Sequence, residues 1–316
     1  MTHLLQTANI ICTGGAGTLG MAIARRRKHE GWTGKFTVYS TDNHKHEKMR
    51  KLYPDVNFVQ GDIRNPETLY NAMVGHNVCL HLAAVKVIPD SELWSLDTID
   101  VNINGSINVC IQAKVAGITH VLGISTDKAC SPANAYGSTK HLMEKIFQEY
   151  SRIESDTVFH LVRYGNVLES NGSVIEMWKN SIERNQPIKI TNPNMTRFWL
   201  SPQQAVDMVI KSLEIPAGAI YVPKMKSLSV GYLAEYTLGK NYNFETIPLR
   251  PGEKMHECLV TMDEARHTFD KGNAYVVLPT TVGLLDEELL DSYTSDKAGR
   301  LTKEELLELL KDELPA

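Results

Sequence analysis

A tyrosine and a lysine four positions apart, Tyr136 and Lys140, follow closely on the polar run Thr126-Asp127-Lys128. On a helix that spacing puts both side chains on one face. A free tyrosine, with a pKa near 10, is a poor base at neutral pH. A neighbouring ammonium, joined by the positive ring of an oxidised nicotinamide, favours the phenolate and brings that pKa down. The expected chemistry is removal of a hydroxyl proton coupled to hydride transfer, with Lys140 also placed to hold the nicotinamide ribose. The spacing recurs at Tyr236/Lys240 and Tyr293/Lys297. Only Tyr136/Lys140 opens a helix just after a strand ending in polar residues, so position selects it and the other two are read as chance. Asp127 and Lys128 add an acid and a base side by side. An alcohol dehydrogenase or an epimerase needs a hydroxyl near the tyrosine and little more, so this pair points to a second proton transfer. The plainer alternative is an incidental ion pair in a solvated turn.

A second constellation lies at the first strand–helix junction, Thr13-Gly-Gly-Ala-Gly-Thr-Leu-Gly20. Its glycines satisfy both GxxGxxG (Gly14, Gly17, Gly20) and GxGxxG (Gly15, Gly17, Gly20). Such a loop lets a dinucleotide diphosphate approach the backbone and rest on a helix N-terminus. Thr18 and Leu19 belong to the same expected contact. After the second strand an acid would bind the ribose hydroxyl of NAD, and a base the extra phosphate of NADP. The residue there is Ser40, with Lys45 within reach and Asp42 dissenting; NADP is expected, with NAD as the alternative. Asp62 and Ile63 after the third strand, and Ala83 after the fourth, complete the expected cofactor contacts.

These residues need a scaffold that brings strand ends together. Apolar, β-branched runs at Ile10–Thr13, Phe36–Ser40, Val56–Gly61, Val78–Ala83, Val121–Thr126 and Phe159–Tyr164 read as strands. Amphipathic stretches at Leu19–Lys28, Glu67–Met73, Ile99–Val115 and Lys140–Tyr150 read as helices between them. Almost continuously apolar strands alternating with helices predict an α/β fold with a doubly wound parallel sheet, covered on both faces, with ligands beyond the carboxyl ends of its strands. Residues 1–165 form the expected dinucleotide-binding Rossmann domain. From 166 to 316 the regularity breaks, with Asn185-Gln-Pro, Thr191-Asn-Pro-Asn and Arg250-Pro-Gly. A smaller substrate-binding lobe is expected there, with one or two segments returning to the sheet.

The formal net charge of -4 and ordinary charged content of the 316 residues exclude a basic field for nucleic acid, so an anionic ligand must be held by a few local arginines. Five scattered cysteines without a CxxC pair read as reduced thiols in a cytoplasmic protein. The N-terminus has no basic segment followed by an apolar one, and no apolar run approaches the roughly 20 residues of a membrane span. His44, His46 and His256 read as ordinary histidines, and no metal site is expected. Thr302 and Glu305 form a capping box for a short helix.

Thr126-Asp-Lys-Ala-Cys-Ser-Pro-Ala-Asn-Ala-Tyr136-Gly-Ser-Thr-Lys140 closely resembles the UDP-N-acetylglucosamine 4,6-dehydratases that invert C5, within the extended short-chain dehydrogenase/reductase family of polysaccharide biosynthesis. Ala83-Ala-Val-Lys-Val-Ile-Pro89, Asn102-Ile-Asn-Gly105, Arg163-Tyr-Gly-Asn-Val167, Gly172-Ser-Val174, Met195-Thr-Arg-Phe198 and Arg250-Pro-Gly-Glu-Lys254 are similar to that family's signatures. So is the tail, Tyr293-Thr-Ser-Asp with Leu301-Thr-Lys-Glu-Glu305. Dehydratases of dTDP-glucose carry Asp-Glu at Asp127-Lys128, and membrane-anchored, C5-retaining relatives carry methionine at Tyr136, so the inverting branch fits best. Three segments depart from the family. Ser40-Thr41-Asp42-Asn43 replaces Ser-Arg-Asp-Glu, Val87 replaces a histidine, and Leu168-Glu-Ser-Asn171 replaces a Gly-Ser-Arg run, with substrate choice expected to follow the last.

The resemblance implies a self-contained redox cycle. Tyr136, assisted by Thr126 and tuned by Lys140, takes the C4 hydroxyl proton. Lys128, its pKa brought down, takes the C5 proton, and Asp127, its pKa raised, protonates the departing C6 hydroxyl. Reprotonation of C5 from the opposite face inverts it. Lys86, Asn166, Val174, Arg197 and Arg250 are implied around the substrate, Asn166 and the two arginines about the diphosphate, with Glu253 on the uridine ribose. A homo-oligomer, dimer or higher, is implied as well. A UDP-hexose 4-epimerase and a redox-inactive dinucleotide sensor are the competing readings; the intact Asp127-Lys128 pair speaks against the first, and the presence of Tyr136 and Lys140 against the second.

Overall fold

The computed structural model describes residues 3–168, 174–240, 242–250, 252–279 and 291–311. The first half alternates β1 (Ile10–Thr13), α1 (Thr18–Glu30), β2 (Phe36–Ser40), α2 (Asn43–Leu52), β3 (Asn57–Gln60), α3 (Pro66–Met73) and β4 (Val78–His81). It continues with α4 (Ile88–Leu93), α5 (Ser95–Ile99), α6 (Gly105–Val115), β5 (His120–Thr126), α7 (Ala135–Tyr150) and β6 (Val158–Tyr164). Every residue of β1 and β4 is buried, because helices cover both faces of a parallel sheet and leave no polar face. The six strands read from sequence are therefore present, each shifted by at most two residues at its ends.

Later segments are β7 (Asn166–Val167), α8 (Val174–Glu183), β8 (Ile188–Ile190), β9 (Thr196–Leu200), α9 (Pro202–Ser212), β10 (Ile220–Pro223) and β11 (Ser227–Ser229). They are followed by α10 (Val230–Leu238), β12 (Phe244–Thr246), β13 (Cys258–Val260), α11 (Met262–Ala265), β14 (Thr268–Asp270), β15 (Ala274–Val277), β16 (Tyr293–Thr294) and α12 (Lys303–Leu309). The main sheet has nine strands in the order β14-β15-β10-β6-β5-β4-β1-β2-β3. Seven run parallel, β15 adds antiparallel at one edge, and β14 pairs antiparallel with β15 and so returns to the common direction. Three late strands thus complete the sheet. The order reverses between β1 and β4, the crevice where such folds take ligands.

A second apolar cluster, built on Trp178, Ile190, Trp199, Leu228, Leu233 and Leu306, belongs to the smaller lobe. Small sheets β11-β9-β7 and β12-β8 frame it. The Thr302/Glu305 capping box is formed at α12. In the first half α2, α4 and α5 were not anticipated. α2 buries only His46 and Met49 and so carries a weak apolar signal. The stretch expected as one helix from Ile99 to Val115 contains a π-helical turn over Asp100–Asn104, an arrangement often found beside functional sites. Among the described residues, no helix is long and apolar enough to cross a membrane, and no cluster of His, Cys, Asp and Glu could hold a metal ion.

Candidate active site

One cleft of about 890 Å³ runs from the β1 loop across the carboxyl ends of β4, β5 and β6 into the smaller lobe. At its first end Gly14 has a φ of +67°, and a Cβ there would lie 2.6 Å from the Ala83 nitrogen. The loop therefore packs directly on the end of β4. Gly17 is the N-cap of α1 and has no side chain to offer it. The first-turn N–H groups consequently face the cleft, a donor set suited to a diphosphate. Thr18, Leu19, Ile63 and Ala83 line the cleft as expected, whereas Gly15 and Gly20 lie behind it.

The ribose end is more heavily occupied by the protein's own contacts than the sequence suggested. Ser40 Oγ and His46 Nε2 share a hydrogen bond of 2.7 Å, and burial lowers the His46 pKa, keeping the ring neutral. Asp42 caps α2 through the Lys45 backbone N–H, and its other oxygen pairs with Lys45 Nζ at 3.0 Å. Lys45, expected to reach a phosphate, is thus engaged by the dissenting acid. Asp62 is gripped by Arg64, whose Nη2 lies 2.7 Å from Oδ2. Burial and the nearby Lys45 ammonium lower the pKa of Lys86.

At the other end α7 presents Tyr136, Lys140 and Glu144, each four residues from the last, along one face. Its N-cap is Asn134, whose Oδ1 accepts the Gly137 N–H at 2.8 Å and whose Nδ2 donates to the Gly252 carbonyl at 3.1 Å. A Cβ on Gly137 would stand 2.3 Å from the Lys128 carbonyl, so only glycine lets α7 press against the Thr126-Asp127-Lys128 turn. Asn102, in the π-helical turn, donates to Thr139 Oγ1 at 3.0 Å and ties α7 to the segment after β4.

Asp127 is fully buried. Its Oδ1 accepts from Thr126 Oγ1 at 2.9 Å and from Lys128 Nζ at 3.0 Å, while its Oδ2 has no partner. Lys128 Nζ also lies 3.7 Å from Glu257 Oε1, and Glu257 in turn lies 3.5 Å from Arg197 Nε. The second Glu257 oxygen is buried without a partner. Asp127 sits behind Lys128 rather than on the cleft wall, which Thr126, Lys128, Glu257 and Tyr136 form.

Two pKa directions in the protein alone run opposite to those expected of the working site. Burial outweighs the Lys128 ammonium and the Thr126 hydrogen bond, pushing the Tyr136 phenol up to about 12. Burial would lower Lys128, but Asp127 and Glu257 together outweigh it and hold the ammonium above its ordinary value. The expected lowering belongs instead to Lys140, brought to about 8 by burial, with Glu144 opposing; its Nζ donates to Met143 Sδ at 2.8 Å.

The smaller lobe supplies the far wall. Arg197 is buried, its Nη1 donating to the Thr196 carbonyl at 2.8 Å and its Nη2 to the Lys254 carbonyl at 2.9 Å. Asn166 Oδ1 is buried without a partner. Glu253 accepts from Thr191 Oγ1 at 3.2 Å, and Lys86, Val174 and Arg250 line the same cleft. Gly172 and Ser173 of the Gly-Ser-Val motif, Glu169 to Asn171 of the departing run, and Pro251 lie outside the described residues. Sequence reasoning did not single out Glu257 or Glu144, and it named Asn102 and Arg163 only within motifs, with no role. Glu144 could have been found by extending the Tyr136/Lys140 spacing by one more turn. Arg163 Nη2 donates to Glu144 Oε2 at 2.7 Å and to Glu264 Oε1 at 2.7 Å, and Nη1 donates to the Leu259 carbonyl at 2.8 Å.

Comparison with known proteins agrees with this geometry. Residues 10–279 match the family described as polysaccharide biosynthesis protein. An inverting UDP-N-acetylglucosamine 4,6-dehydratase of Campylobacter jejuni (strain 81-176) is 34% identical over 89% of this chain and 85% of its own. A UDP-glucose 4-epimerase of Rickettsia bellii (strain RML369-C) is 36% identical over 95% of this chain and 94% of its own. The X-ray structure of Pen from Bacillus thuringiensis superposes with a TM-score of 0.90 at 29% identity, covering 99% of this chain and 100% of that one.

Proposed function

The chain belongs to the polysaccharide biosynthesis protein family, which includes inverting UDP-N-acetylglucosamine 4,6-dehydratases, and from that premise we propose that it dehydrates UDP-N-acetylglucosamine to the 4-keto-6-deoxy sugar nucleotide with inversion at C5. It is an enzyme of the extended short-chain dehydrogenase type, working on nucleotide sugars as dehydratase or epimerase. The observation that carries the dehydratase reading is the Asp127–Lys128 pair, an acid and a base 3.0 Å apart, with Lys128 on the cleft wall beside Tyr136 and Asp127 directly behind it. A 4-epimerase has no use for it.

A bound dinucleotide would accept hydride from C4 of the sugar and return it at C6. The chain's residues handle the protons. Tyr136 takes the C4 hydroxyl proton, with Thr126 oriented beside it; its high resting pKa requires charge nearby, which the oxidised nicotinamide and Lys140 supply. Moving one proton along the Lys128–Asp127 hydrogen bond turns the ion pair into a neutral amine and a carboxylic acid. Those are the base for C5 and the acid for the C6 hydroxyl, produced together without solvent. Glu257 opposes that transfer because it favours the ammonium, and Arg197 counters Glu257. Asn166, Arg197 and Arg250 would hold the diphosphate, Glu253 the uridine ribose, and Lys86 and Val174 the sugar's surroundings.

The cofactor is proposed as NADP, supported by Ser40 standing where an acid would take the ribose hydroxyl and by Lys45 lining the same end of the cleft. Asp42, on the same lysine, keeps NAD as the alternative, and affinities for the two dinucleotides separate them. A homo-oligomer is proposed from the apolar residues that α4 and α5 expose, Leu93 at 70%, Trp94 at 65% and Leu96 at 83%. Light scattering of wild type and Leu96→Lys tests it. Residues 1–165 are assigned to the cofactor and 166–316 mainly to the substrate. A cytoplasmic setting is proposed from the five scattered cysteines and their lack of a CxxC pair.

The deciding experiment incubates the protein with UDP-N-acetylglucosamine in D₂O without added reductant and follows the sugar by NMR. A C6 methyl with deuterium at C5 and a hydrated 4-keto carbon is the expected result, the ring couplings reporting inversion. A galacto-isomer growing beside unchanged substrate would establish the epimerase suggested by the Rickettsia relative.

A further inference from the structure

Two cysteines far apart in sequence meet directly behind the acid–base turn. The Cys130 thiol donates to Cys258 Sγ across 3.2 Å. Cys130 follows Asp127-Lys128-Ala129 immediately, and Cys258 follows Glu257 immediately. The sulfurs therefore join the two backbone segments that carry the Lys128–Glu257 contact. Their surroundings are asymmetric. Cys258 is only partly buried, while Cys130 is almost completely covered, with Sγ 3.6 Å from Glu264 Oε2 and its carbonyl accepting from Lys254 Nζ at 2.7 Å. The hydrogen bond from Cys130 lowers the Cys258 pKa, with the Arg163 and Lys254 cations assisting, whereas burial raises that of Cys130. Cys12, Cys79 and Cys110 are buried elsewhere in the core.

We propose that Cys130 and Cys258 form a reversible disulfide on exposure to a small-molecule disulfide, and that this bond switches off the adjoining acid–base turn. The Cys258 thiolate attacks one sulfur of the oxidant, breaking its S–S bond and releasing one thiol. Cys130 then attacks Cys258 Sγ of the mixed disulfide and expels the second thiolate, which takes up the proton Cys130 loses. The oxidant gains two electrons and becomes two thiols; the protein loses two thiol hydrogens and gains one S–S bond. Closing 3.2 Å to a bond of about 2.0 Å draws the Lys128 and Glu257 backbones toward each other. Displacements of about 1 Å at a reacting group can cost on the order of 10²-fold in rate.

The test takes the full chain, reduced and desalted, and adds oxidised glutathione. The expected result is a mass lower by about 2 Da, a single peptide pair linking Cys130 to Cys258, and turnover of UDP-N-acetylglucosamine down at least about tenfold. Dithiothreitol restores both. Cys258→Ser and Cys130→Ala each keep the activity of the reduced enzyme and lose the sensitivity. Glutathione persisting on Cys258, no linked pair, a linked pair with unchanged turnover, or equal inactivation of the double variant would each overturn the proposal. The activity readout rests on the dehydratase reading. A reduced chain that converts no sugar nucleotide sinks that reading and leaves the linked peptide to decide the disulfide.

Discussion

Two buried ionic clusters lie within the same fold and differ in one respect. Around Arg163 the charges are closed: two carboxylates, Glu144 and Glu264, and the Leu259 carbonyl take up its guanidinium, and neither carboxylate has an orphan oxygen among the described residues. Around Lys128 they are open. Asp127 and Glu257 each keep one buried oxygen without a partner. A closed cluster has satisfied its desolvation and holds position, whereas an open one retains capacity to take or give a proton. The first ties α7, β6 and β13 together, and the second stands at the cleft they form.

The largest effect expected from this contrast is catalytic. Asp127→Asn should lower dehydration by about 10²–10⁴-fold, with the urea midpoint near that of wild type because Lys128 keeps Glu257 as a partner. A large stability loss with residual turnover would put the pair in the structural class. Arg163→Leu should do the reverse. Stranding two buried carboxylates costs about 3–5 kcal/mol, read from urea unfolding. An Arg163→Leu protein as stable as wild type would remove the distinction.

A smaller and more specific effect separates the glutamates. Glu257→Gln removes one of the two charges that raise Lys128, so the pH profile of kcat should move to lower pH. The movement in Glu264→Gln, which touches neither Lys128 nor Lys140, should be absent or far smaller. The smallest effect is on acid stability. Arg163, despite burial, holds the Glu264 carboxyl down to about 2 from an ordinary 4.5. Because the folded pKa is depressed, this contribution is complete above about 4.5 and fades as pH falls toward 2. Glu264→Gln should therefore flatten the acid limb of the stability curve between those values, measured by denaturation across pH.

The contrast between the clusters also marks where sequence ran out. Tyr136, Lys140 and the β1 glycines were legible because their geometry is local: a helical spacing or a strand–helix junction fixes it. The sheet was legible because burial on both faces leaves an almost unbroken apolar run in each strand. Glu257 and the Arg163 cluster are products of long-range folding, with Arg163 and Glu264 separated by 101 positions. No spacing rule connects them. The reversed direction at Lys128 has the same origin, since a carboxylate brought in from β13's border adds to its neighbour and overcomes burial. Asn102 was named within a motif but its role was hidden, because an apolar helix pattern does not announce a π-helical turn inside it.

The return of β10, β14 and β15 to the main sheet has a consequence for how such enzymes can be rearranged. The chain leaves the sheet after β6, builds part of the smaller lobe, and comes back to complete the edge. Cutting it near residue 165 would bare the β6 edge, and an exposed strand edge invites association with other chains. Substrate lobes therefore cannot be traded between relatives as C-terminal cassettes. A chimera that keeps this sheet intact needs its junctions on either side of the strands that return, so that specificity is exchanged as an insertion within the fold.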